Sequence, residues 1–430
     1  MTSKVKFPKD FMWGVGHSSF QVEGNLKDSD WRAWTHSPGK IVDATDAEVA
    51  TDFWNRFDED FELASQLGAN TFRISIAWER IEPARGHWDK EALDHYEKII
   101  EACRAKGLEP VVTLHHFALP LWLANAGGLC AEDFAKEFAD YAAYVVERLA
   151  RGKALVKWWM TFNEPLVMVN MGYLTGEWPP GERDPALAML ASRNLVRAHI
   201  EAVRRLRALK LREEIRISIA QHWRDFQPKR SWNPLDRAAA FYLHEVFNRN
   251  FVRAVMTGRN IWWMPGGKLH AEVLELPEGL PTLDYLGINY YGRMIAGVTT
   301  QAPFLSVEEG SGEKTDLGWE MCPSSLRVVL KDAASYGLPI LISENGLADA
   351  KDQYRERFIE THLESLREAM GDGVTLLGYL HWSLTDNFEW AFGLKPRFGL
   401  VEVDYETMTR KPRPSFAFYR DLIQKFRSES

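Results

Sequence analysis

The sequence predicts an α/β protein closed as one (β/α)8 TIM barrel with long βα loops, and three features point there. Eight apolar runs of strand length recur along the chain, stretches of helical period separate them, and nothing interrupts the alternation. Strands are expected at 11–15, 71–77, 110–114, 156–162, 215–220, 283–289, 339–343 and 375–382. Their near-continuous apolar character, as in Pro110-Val111-Val112-Thr113-Leu114, suits parallel strands buried on both faces. Helices are expected at 47–67, 90–106, 133–151, 184–210, 236–256, 324–336 and 352–370. In the first of these Phe53, Phe57, Phe61 and Ala64 fall at four- and three-residue steps on one face. Repeated βα units of this kind predict right-handed crossovers and a closed parallel sheet.

No Ser/Gly-rich linker or sharp charge boundary divides the chain, so residues 1–430 are read as a single domain. Residues 262–281, rich in Pro and Gly, and residues 299–322, which include Trp319, are expected to be long loops. Such loops after strands are where a barrel assembles its site.

A formal net charge of −8 argues against nucleic acid or an anionic membrane as partner, because both require concentrated basic surface. A small neutral molecule fits better, and composition leaves a homo-oligomer open. The three cysteines, Cys103, Cys130 and Cys322, are widely spaced and odd in number, which indicates neither a disulfide framework nor a CxxC metal site. The amino terminus lacks the apolar core of a secretory signal, and no apolar run is long enough to cross a bilayer, so the cytoplasm is the expected compartment. The chain carries 17 Trp, 13 Tyr and 23 Phe. Aromatic faces fill cores, and they also stack on the C–H faces of sugars.

Two glutamates occupy matching places. Glu164 follows one buried strand in Thr161-Phe162-Asn163-Glu164-Pro165, and Glu344 follows another in Ile342-Ser343-Glu344-Asn345-Gly346. Taken singly, a Glu after a strand is more often a surface residue or a helix-start neighbour. Two of them facing one cavity at the carboxyl ends of barrel strands suit glycosidic bond cleavage, which needs one carboxyl protonated and one ionised. Pro165 stiffens the chain after the first, and Gly346 stands where an unusual backbone turn is expected after the second.

These two motifs resemble the acid/base and nucleophile motifs of glycoside hydrolase family 1, the β-glucosidase and β-galactosidase family. They come in the family's order, on the fourth and seventh strands. The resemblance extends from Phe7-Pro8 through Gln21-Val22-Glu23-Gly24 to Arg397-Phe398-Gly399-Leu400 and Asp404-Tyr405, so it covers essentially the whole chain.

The resemblance implies a retaining, exo-acting β-glycosidase for β-D-glucosides, with β-D-galactosides and β-D-fucosides also accommodated. It assigns Glu344 as nucleophile and Glu164 as general acid/base, with carboxyl groups roughly 5 to 5.5 Å apart. Arg73, in Phe-Arg-Ile-Ser-Ile, would lower the nucleophile's pKa by charge pairing, and Tyr291, in Gly-Ile-Asn-Tyr-Tyr, would hydrogen-bond it. Gln21, His116, Asn163, Glu389 and Trp390 match the set that holds the non-reducing sugar, with Asn163 at the 2-hydroxyl. Trp382 would lie under the ring, and Trp319 would line the leaving-group side. No cofactor or metal is implied. His115 and His116 are adjacent on a strand and point to opposite faces, which disfavours one shared ion.

The chain departs from the family pattern in places. His116-Phe117-Ala118-Leu119-Pro120 stands where His-Trp-Asp-Leu-Pro is common, Phe392 replaces a frequent Glu, and His17 replaces a small residue or Thr. The phospho-glycosidase branch carries Ser, Lys and Tyr at positions matching Glu389, Pro396 and Phe398, and none of these is present. Phosphorylated sugars are therefore not expected as substrates. A non-catalytic carbohydrate-binding barrel is disfavoured by retention of both glutamates with Arg73 and Tyr291, whereas hydrolysis and transglycosylation stay equally compatible with these residues.

Overall fold

The structure, a computed structural model, describes residues 5–211, 213–263, 269–301 and 304–429. Eight parallel strands close into a barrel in chain order: β1 (Met12–Gly16), β2 (Thr71–Ser75), β3 (Glu109–His115), β4 (Trp158–Asn163), β5 (Arg216–His222), β6 (Leu286–Asn289), β7 (Ile340–Asn345) and β8 (Leu376–His381). Closure is made by β1 against β8, where Met12 pairs with Gly378 and Val15 with His381. Every expected strand is present, with ends shifted by up to three residues, the largest shift being at the start of β6.

Helices pack outside the strands and cover their outward faces. Phe53–Gln66, Lys90–Ala105, Phe134–Arg151, Pro185–Ala208, Pro323–Ala333 and Arg355–Gly371 correspond to expected helices, and Pro414–Glu429 follows β8. Phe61 and Ala64 of the first are fully buried, which is why its aromatic stripe recurs at helical spacing. The helix expected over 236–256 is interrupted. Pro234–Leu243 and Asn250–Thr257 are regular, and between them His244–Arg249 widens into a π-type turn. That turn presents Phe247 O to Gln221 Nε2 at 2.9 Å and Asn248 to the backbone of Arg224.

The loop expectations are corrected in part. Within 262–281, Trp262 and Trp263 belong to the strand Arg259–Trp263, which pairs antiparallel with Leu269–Val273; residues 264–268 lie outside the described residues. Within 299–322, Leu305–Glu309 pairs with Arg293–Val298, which pairs in turn with Asp225–Pro228, and residues 302–303 lie outside the described residues. Both insertions hide their strands behind Pro and Gly, which outweighed short β-propensity in the sequence.

The barrel interior is filled below the site by Met12, Val111, Met160, Ala220, Tyr285, Leu341 and Leu380, contributed from around the ring. Above this apolar plug the inward residues become polar: Arg73, Thr113, Asn163, Asn289 and Ser343 are all buried. Register shifts in three ladders mark the same level, one of them between Ile342 and Asn345 in the β7–β8 pair. The β4–β5 ladder slips between Met160 and Asn163, and the β6–β7 ladder between Ile342 and Glu344. Such irregularities re-aim the side chains beside them.

Gly346 is required for a reason other than an unusual turn. Its backbone is not left-handed, but a Cβ there would overlap the carbonyl oxygen of Trp382. Gly346→Ala is therefore expected to cost about 1–3 kcal/mol, read as a lower denaturant midpoint, because a backbone atom and not a flexible side chain must yield.

Candidate active site

The two glutamates reach one cavity from strands separated on the barrel rim by β5 and β6. Glu344 is the fifth residue of β7, and Glu164 directly follows β4, where its backbone lies in the left-handed region at φ 44° and ψ 58°. That conformation is costly for a residue with a Cβ and persists only where its surroundings dictate it. Here Glu164 N–H donates to Ala220 O at 2.7 Å, and Pro165 starts the short helix Pro165–Val169.

Glu344 is 4% exposed and has two dedicated partners. Its Oε1 takes a very short ionic hydrogen bond from Arg73 Nη1, and its Oε2 accepts from the Tyr291 hydroxyl at 2.7 Å. Arg73 is itself fully buried and does not line the cavity, so it holds Glu344 from behind. Its other donors reach Thr113 Oγ1 at 3.1 Å and Asn163 Oδ1 at 2.7 Å.

Glu164 has a different surrounding. Its Oε1 accepts from Asn289 Nδ2 at 2.8 Å and lies 3.0 Å from His222 Nδ1. Asn289 also donates to Asn163 Oδ1 at 3.0 Å and accepts from Ser343 Oγ at 2.7 Å, so one amide bridges the two glutamate-bearing strands.

Burial pushes the Glu344 carboxyl up to about 7, against the pull of Arg73 and with the push of the Glu164 charge. For Glu164, burial also acts upward, but His222, Asn289 and Arg224 outweigh it and leave the carboxyl below its ordinary value. Two groups interacting this strongly titrate as a pair, so these positions describe the pair's two protons and not either residue alone. Glu389 is driven up to about 8 by burial, then by the Glu344 and Glu164 charges.

The cavity has a volume of about 1150 Å3. Of the residues singled out in the sequence, Gln21, His116, Asn163, Glu164, Tyr291, Trp319, Glu344, Trp382, Glu389 and Trp390 all line it. Gln21, in the turn after β1, donates to Asn387 Oδ1 at 2.9 Å and to Phe388 O at 2.8 Å, which ties it to the segment carrying Glu389. His116 stacks near Trp382 (6.0 Å, 19°) and Trp390 (5.9 Å, 12°), and its Nε2 lies 3.1 Å from Asn163 Nδ2. Burial holds His116 well below its ordinary value, so it is neutral. Trp319 packs against Tyr291 (5.6 Å, 68°) and Phe398 (6.1 Å, 53°) on another wall. Neutral donors and acceptors beside aromatic faces can hold a hydroxyl-rich apolar-faced ligand.

Sequence reasoning missed Asn289, His222 and Arg224. Asn289 stands two residues before Tyr291, and His222 ends β5 just as the glutamates end β4 and β7, so the rule that selects strand ends could have found both. Among the described residues no cluster of three or more His, Cys, Asp or Glu could hold a metal, and no helix is long and apolar enough to cross a membrane.

Arg73→Met would leave Glu344 with no contacting cation. A carboxyl whose folded-state pKa exceeds its unfolded value loses stability as pH rises past the unfolded value, and removing Arg73 lifts the folded value further. The stability gap between variant and wild type is thus expected to widen towards about 3 kcal/mol as pH rises from roughly 5 to 9, in denaturant titrations. A gap independent of pH would mean that the guanidinium does not hold the charge.

Residues 3–427 match Glycosyl hydrolase family 1. The chain is 34% identical to β-glucosidase A of Thermotoga maritima over 97% of this chain and 98% of that one. Among solved structures, a β-glycosidase from Pyrococcus horikoshii superposes with a TM-score of 0.89 at 34% identity, covering 98% of this chain and 96% of that one. The β-glucosidase from Thermotoga maritima in complex with glucoimidazole also superposes with a TM-score of 0.89, at 32% identity over 98% and 99% of the two chains. A closed barrel with two buried glutamates at its carboxyl rim and near-complete coverage by relatives lead to one conclusion: the chain belongs to glycosyl hydrolase family 1 and is a glycoside hydrolase of the β-glucosidase type.

Proposed function

We propose that this chain, folded as a single catalytic domain, removes β-linked glucose from the non-reducing end of β-glucosides by double displacement through a glycosyl-enzyme. β-Galactosides and β-fucosides are further substrates in this reading, since Glu389 is the carboxyl offered to the 4- and 6-hydroxyls and one such group tolerates changes there. The observation that carries the proposal is the asymmetry of the two glutamates. Glu344 touches a buried guanidinium, which requires an anion beside it, whereas Glu164 touches the Asn289 amide and the His222 ring. The cation beside Glu344 keeps the negative charge there and leaves the proton to Glu164, against the burial that pushes Glu344 up and the donors that hold Glu164 down.

In the first step a carboxylate oxygen of Glu344 attacks the anomeric carbon, the glycosidic C–O bond breaks, and the leaving oxygen takes the proton of Glu164. Loss of the Glu344 charge on ester formation lets Glu164 stay ionised. In the second step Glu164 takes a proton from water, the resulting hydroxide equivalent attacks the anomeric carbon, and Glu344 leaves as a carboxylate. Tyr291 donates to Glu344 throughout and eases that departure. Asn163, held by Arg73 and Asn289, would face the 2-hydroxyl, where a hydrogen bond strengthens in the transition state. Trp382 would carry the sugar ring, with Gln21, His116 and Trp390 around it. The binding of glucoimidazole by the Thermotoga maritima β-glucosidase supports a glucose-shaped site.

The cavity is larger than one sugar, and Val167, Met171, Phe226, Phe247, Met294 and Leu305 give part of it an apolar wall. That wall suits the leaving group.

Hydrolysis of a nitrophenyl β-glucoside followed by proton NMR is expected to release the β-anomer first; initial α-glucose would remove the nucleophile from Glu344. Glu344→Gln is expected to abolish turnover. Glu164→Ala should lose roughly 10²- to 10⁴-fold on alkyl glucosides and far less on dinitrophenyl glucoside, whose leaving group needs no proton. Equal losses on both would contradict the acid role.

A further inference from the structure

Arg224 follows His222 by two residues, in the short link between β5 and the strand Asp225–Pro228. Arg224 Nε–H points at His222 Nε2 at 2.9 Å, and His222 Nδ1 lies 3.0 Å from Glu164 Oε1. We propose that Arg224 is a positioning residue for the acid: by donating to His222 Nε2 it holds the imidazole as the neutral Nδ1–H tautomer, which orients Glu164 but cannot accept its proton. The inference rests on the reading of Glu164 as acid/base.

The contact has only one sense. A guanidinium stays protonated and has no acceptor, so Arg224 donates and Nε2 accepts. An imidazole accepting at Nε2 carries its single proton on Nδ1, and the contact to Glu164 is then N–H to oxygen. The opposite tautomer would present a lone pair from Nδ1 to Glu164 at hydrogen-bond distance. The carboxylic proton would then point at the ring and not at the leaving oxygen. An imidazolium would be worse, since it would pair with Glu164 as a carboxylate. Burial keeps the ring from charging, and the Arg224 cation adds to this against the pull of Glu164.

Both members of the lock are themselves held. Arg224 N–H donates to Asn248 Oδ1 at 3.0 Å, and Asn248 Nδ2 donates back to Arg224 O at 2.7 Å, from the π-type turn that broke the expected helix. Arg224 also pairs with Glu309 at 3.6 Å. The His222 ring sits against Phe247 (5.7 Å, 76°) and Tyr291 (5.8 Å, 37°). Other charged or titratable groups acting here are Glu344 from β7, Tyr290 and Tyr291 after β6, and Glu389 after β8.

The test uses the whole enzyme labelled with 15N-histidine, with His222 assigned by its loss in His222→Gln. Long-range proton–nitrogen spectra are expected to show His222 protonated at Nδ1 alone from about pH 5 to 8. Arg224→Met should populate the Nε2–H form or the imidazolium. It should also lower turnover of alkyl β-glucosides roughly tenfold or more while changing dinitrophenyl β-glucoside by less than about twofold. Arg224→Lys, which keeps a donating cation, should restore both readouts. A wild-type spectrum with the proton on Nε2, or on both nitrogens, overturns the inference without any variant. So does an unchanged tautomer in Arg224→Met, or an equal loss on both substrates, which is what a purely structural arginine would produce. Failure of the Glu164 reading is separately visible, as equal losses in Glu164→Ala beside an unchanged Nδ1–H spectrum, and it removes the premise.

Discussion

A guanidinium with no exposed surface must be given an anion and acceptors for its remaining protons, and Arg73 sets this demand at the centre of the barrel. The neighbours that meet it come from three other strands: Thr113 from β3, Asn163 from β4, and Ser343 with Glu344 from β7. Arg73 therefore ties the ring of strands across its own interior as well as holding a carboxylate. Asn163 is then committed through its oxygen to Arg73 and Asn289, and Asn289 through its own oxygen to Ser343. Each member is fixed by the next, and burial strengthens every such bond. The geometry of the two glutamates follows from this network, since it leaves little freedom for either.

The network rests on an apolar floor. Met12, Met160, Tyr285 and Leu341 among others close the barrel below, so the polar layer has only one open side. The register slips in β4 and β7 occur at this boundary, where a strand stops matching its neighbour and its last side chains turn up to the rim. Rigidity below and opening above are two consequences of one closed sheet.

Three carboxyls share the cavity, those of Glu164 and Glu344 buried and that of Glu389 part-buried, and they raise one another's cost of ionisation. The protein answers each differently. Glu344 is given a cation, Glu164 a neutral amide and a ring turned by Arg224, and Glu389 only Gln21 at 3.4 Å. A cavity so supplied with negative potential disfavours anionic ligands and suits neutral hydroxyls. The protonation of each carboxyl is a property of its partners and not of its type.

Much of this was legible in one dimension. The eight strands could be read because a sheet buried on both faces needs unbroken apolar runs, and Glu164 and Glu344 because chemistry on a barrel sits where those runs end. Arg73 and Tyr291 were legible through their motifs. The strands within 262–281 and 299–322 were not, since a short exposed strand is decided by the partner it meets far along the chain. The interrupted helix at His244–Arg249 was hidden too, because its wider turn answers to Arg224 and Gln221 across the structure. Sequence alone thus determined the fold class and singled out the two strand-end glutamates, as burial and periodicity are local in the chain. Only the tertiary structure decided which acid faces a cation, why Gly346 cannot carry a side chain, and how His222 is turned, because charge, contact and tautomer depend on distances between residues that the chain order keeps far apart.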